Sequence, residues 1–133
     1  MKNLVFINSS TKVPVVPDDS VGNTTLAAAT YYAELGVDTG KLPWHALASM
    51  HWIWNAALVA TITIEATSLS NVKVTDAAAS GWVPVATIAT VSPAASASQD
   101  LASWVNVGYG RLRAKVVVAT PGVLRGSFHT KEG

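Results

Sequence analysis

The sequence contains no cysteine, which excludes disulfides, thiolate nucleophiles and cysteine-ligated metals and leaves the redox compartment open. Charge is scarce as well. Asp, Glu, Lys and Arg make up 13% of the 133 residues, against about 25% in ordinary soluble domains. The net charge is +1, so there is no long-range field to draw the chain to nucleic acid or to a membrane surface, and neither is expected as a partner. No long hydrophobic run occurs. Leu4-Val5-Phe6-Ile7 is too short for a signal-peptide core or a membrane span, so the expectation is a protein that stays in the cell that makes it or is assembled there.

Chemical signatures are equally sparse. His45, His51 and His129 stand in no metal-ligand spacing, so no metal is expected. The serines form no Gly-x-Ser-x-Gly elbow, and Gly108-Tyr109-Gly110 is too short to cradle a phosphate. The carboxylates Asp18, Asp19, Glu34, Asp38, Glu65, Asp76, Asp100 and Glu132 are scattered, and nothing in the pattern pairs any two for acid–base work. The reading is a protein that is not an enzyme and needs no cofactor.

What the sequence has is alternation. Leu58, Ala60, Ile62, Ile64 and Ala66 alternate with Val59, Thr61, Thr63 and Glu65. Successive side chains of a strand point to opposite faces, so the first set is predicted inward and the second outward. A one-residue slip would put the whole apolar set in water, which specifies the register. Met50, Trp52 and Trp54 form one face of an earlier strand, with His51 and Ile53 on the other. Leu112, Ala114, Val116 and Val118 oppose Arg111, Arg113, Lys115 and Val117, and after Thr120-Pro121-Gly122 the inward positions are Leu124 and Phe128. That Pro-Gly step is predicted to be a type II turn closing a hairpin. Thr24–Leu35 reads as a loop running into a strand, Ser68–Gly81 as a polar loop or short edge strand, and Trp82–Val91 and Leu101–Val107 as further strands. With many short strands and no βαβ rhythm, the fold class is all-β, an antiparallel β-sandwich.

Pro14 and Pro17 cannot donate to a ladder, so residues 1–17 are expected as an extended N-terminal arm and residues 18–133 as the sandwich. Five tryptophans, Trp44, Trp52, Trp54, Trp82 and Trp104, suit core and interface filling better than a sugar-stacking platform, because Trp52 and Trp54 share a face with Met50. Arg111, Arg113 and Lys115, with Arg125 and Lys131 beyond the turn, make an outward basic stripe suited to an acidic partner surface. The weakly charged, short-chained composition suits burial against neighbouring subunits.

The run Trp54-Asn55-Ala56 through Glu65-Ala66-Thr67, then Trp82, Trp104, Gly108-Tyr109-Gly110-Arg111-Leu112-Arg113, the Pro-Gly step and Lys131 resembles small β-sandwich structural proteins of tailed bacteriophages, over roughly Ser49 to the C-terminus. Asp76-Ala77-Ala78-Ala79-Ser80-Gly81 departs from the Asn-Asp-Gly turn expected before Trp82 in closer relatives. The resemblance implies a jelly-roll-like head decoration (cement) protein on the capsid exterior of a virion. It would bind the major capsid protein as a homo-oligomer, with a trimer favoured. Related sandwiches in tails and fibres imply the alternative of a receptor- or glycan-binding module. Val5, Phe6, Val13 and Val15 of the arm, with Arg111, Arg113, Lys115 and Arg125 of the stripe, are the candidate partner contacts.

Overall fold

The structure, a computed structural model, describes residues 2–34, 46–54, 57–69, 71–91, 99–106 and 111–132. Ten strands lie in it: β1 (Lys2–Asn3), β2 (Ile7–Asn8), β3 (Thr24–Leu26), β4 (Thr30–Glu34), β5 (Ala46–Trp54), β6 (Val59–Thr67), β7 (Val83–Val91), β8 (Gln99–Asn106), β9 (Arg111–Thr120) and β10 (Gly122–Glu132). Among the described residues the helical content is a single 3₁₀ turn, Ala78–Ser80. The protein is an all-β antiparallel β-sandwich. One five-stranded sheet runs β1-β10-β5-β8, with β3 also on β10, and the other runs β2-β4-β9-β6-β7. We call them sheets A and B.

The last eight strands pair from the outside in. β3 pairs β10, β4 pairs β9, β5 pairs β8 and β6 pairs β7. Such nesting is that of one long hairpin rolled up on itself, and it forces most connections to cross from one sheet to the other. β9 and β10 accordingly lie in different sheets, which overturns the expected Pro-Gly hairpin. Gly122 pairs with Leu26 of β3. The glycines with positive φ among the described residues are Gly22 and Gly81, not Gly122, so the type II geometry is absent. The step is a corner between sheets.

The strand faces follow the alternation. Ala60, Ile62, Ile64 and Ala66 are buried, as are Leu112, Ala114, Val116 and Val118 opposite them on β9. From sheet A, Leu26, Met50, Trp52, Trp54, Leu124 and Phe128 join them in one core. Thr24–Leu35 resolves into β3 and β4, with Tyr31 and Ala33 also inside.

Gly126 shows how closely the core is filled. A Cβ there would lie 2.5 Å from Trp52 Cζ3 and 2.9 Å from Leu4 Cδ1. Gly126→Ala is therefore expected to cost about 1–3 kcal/mol through overpacking. Urea unfolding checks it, and an unchanged midpoint would show that the indole has room to retreat.

The N-terminal segment does not stand clear of the sandwich. β1 adds to β10 and β2 adds to β4, and Leu4 N donates to Gly126 O at 2.7 Å. Leu4 and Phe6 are buried in the core. Residues after β2 fold back as a small hairpin. Ile7 bridges Pro14, Asn8 N donates to Val13 O and Val15 N to Phe6 O. Lys12 carries a φ of 62° in its turn. The prolines are thus accommodated at an outer edge, where a missing N–H costs no ladder bond.

Candidate partner-binding surface

Both outer faces matter, because the candidate contacts divide between them. On sheet B, Arg111, Arg113 and Lys115 do project outward from β9, but they form no exposed stripe. Segment 68–82, between β6 and β7, lies over one end of this face and is held there by side chains. Arg113 is fully buried. Its Nε donates to Glu65 Oε1 at 2.8 Å and its Nη1 to the carbonyls of Val74 and Asp76. Nη2 lies 2.7 Å from the same Glu65 oxygen but forms no hydrogen bond there, so Nε carries the directional contact. The guanidinium is sandwiched between Tyr32, 3.9 Å from its Cζ to the ring centroid, and Trp82, at 4.4 Å.

Arg111 pairs with Glu34 and donates to the Val72 carbonyl. Trp82 Nε1 donates to Lys73 O at 3.1 Å, and Lys12 Nζ reaches Thr75 O at 3.5 Å. Every main-chain carbonyl from Val72 to Asp76 thus accepts a hydrogen bond from a side chain outside 72–76. A segment without ladder partners must satisfy its carbonyls somehow, and here cationic and indole donors do so. Glu65, read as outward, is buried for the same reason. The docking role expected of Arg113 is therefore corrected, and Arg111 is already engaged within the chain. Lys115 stays half-buried beyond the covered end.

Phe6 is likewise corrected, since it is a core residue. Val15 is half-buried against the core. Val5 and Val13 are exposed. The Ile7–Pro14 bridge and alternation place Val5, Ile7, Pro14 and Val16 on the side of the small hairpin away from Phe6 and Val15. Val16, which the sequence did not single out, is 80% exposed. This is an apolar outer edge on a weakly charged body.

Arg125 belongs to sheet A. Cross-strand register there lines up Asn3, Ser127, His51 and Asp100 on four adjacent strands, with Arg125 two residues from Ser127 on the same outward side of β10. A groove of about 440 Å³ is lined by Asn3, Ser20, Val21, His51, Arg125 and Ser127. Beside it, Asp18, Asp19, Asn23, Ile53, Trp54 and Val123 line a second groove of about 400 Å³. The turn between them is built by Asp19. Its Oδ1 accepts from Val21 N and Asn23 N and its Oδ2 from Asn23 Nδ2 at 2.8 Å. That amide contact, foremost, holds the Asp19 carboxyl below its ordinary value. Gly22, at φ +94°, lets the turn close on Asn3, which a Cβ would meet at 3.3 Å.

Hydroxyl, imidazole and carboxylate residues in one row have the composition of a nucleophile relay, yet Ser127 makes no side-chain hydrogen bond among the described residues. Among the described residues no three His, Cys, Asp or Glu side chains converge as metal ligands. Trp52, Trp54 and Trp82 are all buried, so none of these indoles offers a stacking face. Trp44 and His45 lie outside the described residues, as do the side chains of Trp104, His129 and Lys131.

Among the described residues, the fold and surface define a β-sandwich with two grooves on the outer face of sheet A. Compared with models of known families and with curated proteins, the chain matches none.

Proposed function

We propose that the chain is a phage virion structural protein, a decoration protein that binds the major capsid protein on the head exterior as a homo-oligomer, with a trimer favoured, and stabilises the shell. The observation that carries this reading is the apolar edge of Val5, Ile7, Pro14 and Val16 on a body with few charges. A surface of that kind desolvates at small cost, and many copies on a shell multiply a weak contact. The nested pairing of the last eight strands supports a jelly-roll-like arrangement, and with it the resemblance read from Trp54 to Lys131.

The test adds purified protein to heads that lack it, and the bound particles are imaged. We expect ordered density on the capsid exterior. A Val5→Asp/Val16→Asp variant is expected to melt at the same temperature and bind heads at least tenfold more weakly, since each buried charge opposes docking. Density on the tail alone, no density, or undiminished binding of the variant would sink the proposal.

A further inference from the structure

We infer that the groove on the outer face of sheet A is a binding site for an acidic sugar, a uronic-acid unit whose carboxylate seats on Arg125. The chain has three arginines. Arg111 and Arg113 each hold a carboxylate of this chain. Arg125 is half-buried and makes no ion pair among the described residues. A partly desolvated guanidinium without a counter-charge is a vacancy for a planar anion, which its fork matches in bidentate fashion.

The rest of the lining decides which anion fits. Asn3, Ser20 and Ser127 line the same groove as Arg125 and bring neutral hydrogen-bonding groups to it, His51 stands beside them, and Val21 adds an apolar wall. A simple anion would leave most of these groups unused. A ring bearing several hydroxyls engages them together. The volume of about 440 Å³ lies within the range of small-molecule sites, with room for more than one sugar ring.

Two features hold the geometry. Asn3, Ser127 and His51 are fixed by cross-strand register on three strands. The turn carrying Ser20 and Val21 is fixed by the three hydrogen bonds to Asp19. The site is therefore preformed, and little ordering opposes binding. It lies on the outer face of sheet A, whereas the apolar edge is built around the Ile7–Pro14 bridge at β2 of sheet B, so the two are different surfaces.

The experiment titrates the whole protein with a galacturonate trisaccharide, the neutral galactose trisaccharide, glutamate and inorganic phosphate, followed by amide shifts in two-dimensional NMR. We expect saturable shifts at Asn3, His51, Arg125 and Ser127 with the uronide, and binding of the neutral sugar at least tenfold weaker. Arg125→Gln should weaken the uronide roughly ten- to a hundredfold, as loss of a charge-assisted pair does. Arg125→Lys should fall between, because it keeps the charge and loses the fork. Unchanged melting temperatures keep these variants distinct from a folding defect, and wild-type uronide binding by the Val5→Asp/Val16→Asp variant keeps the groove distinct from the docking edge. Equal binding of glutamate or phosphate would overturn the sugar assignment, and so would absence of saturable shifts with the uronide.

Discussion

Replacing Arg113 by alanine lowers the unfolding free energy by about 3–5 kcal/mol, the usual penalty for stranding one member of a buried ion pair. The substitution leaves the Glu65 carboxylate buried without its cation, and it strips the carbonyls of Val74 and Asp76 of their donor. It also empties the space between Tyr32 and Trp82. Two effects should separate in measurement. Chemical denaturation reports the global loss, and limited proteolysis reports early cutting within 68–82, where the carbonyl contacts are lost. A double change, Arg113→Met with Glu65→Leu, should recover much of the global stability, because apolar side chains of similar volume often replace a buried pair without loss. Cutting within 68–82 should persist in the double variant, since methionine donates nothing to those carbonyls. Wild-type stability in Arg113→Ala would mean that the segment is held by its other contacts alone.

Phe6→Ala is expected to cost about 3–5 kcal/mol, the range for removing a large buried aromatic. Phe6 is fully buried, with its ring centroid 6.4 Å from that of Trp52. Removal of residues 1–16 should therefore unfold the protein rather than free a body that has merely lost its reach. It deletes β1 and β2, the edge additions to both sheets, and the buried Leu4 with Phe6. Val16→Ala, by contrast, should cost little, since that side chain is exposed. Circular dichroism melts of the three variants decide the matter. A deletion that melts like the intact chain would show that the first strands only decorate a core complete without them.

The two cases show why some parts of the molecule were legible in the sequence and others were not. Alternation reports the two sides of a strand. It placed Ile62, Ile64, Leu112 and Val116 inside, and Thr63 and Lys115 outside. It is silent on what covers the outer side. Arg111, Arg113 and Lys115 follow one pattern, yet Arg113 is fully buried, Arg111 is paired and Lys115 is half-exposed. The difference comes from segment 68–82, whose sequence has little periodicity and whose carbonyls are held by the side chains of Lys12, Trp82 and the β9 arginines. The only hint was Glu65, a lone acid on an outward face with an arginine at the same face of another strand.

Turn chemistry failed for a related reason. Pro121-Gly122 marks a change of direction, and local residue preferences cannot say whether the strands it joins pair with each other. In a rolled hairpin they pair instead with strands met much earlier, β9 with β4 and β10 with β3. Two prolines likewise suggested an arm, because the segment's own residues do not reveal that Leu4 and Phe6 find places between the sheets.

The amino-acid order by itself determined the secondary structure class, the face of each long strand and the absence of cysteine chemistry, all of which depend on residues a few positions apart. Which strands became neighbours, which arginine was swallowed, and the meeting of Asn3, Ser127, His51 and Arg125 at one groove were decided by the tertiary structure alone. Those outcomes rest on contacts between segments tens of residues apart, whose pairing is selected by burying one shared core and by satisfying every carbonyl displaced from a ladder.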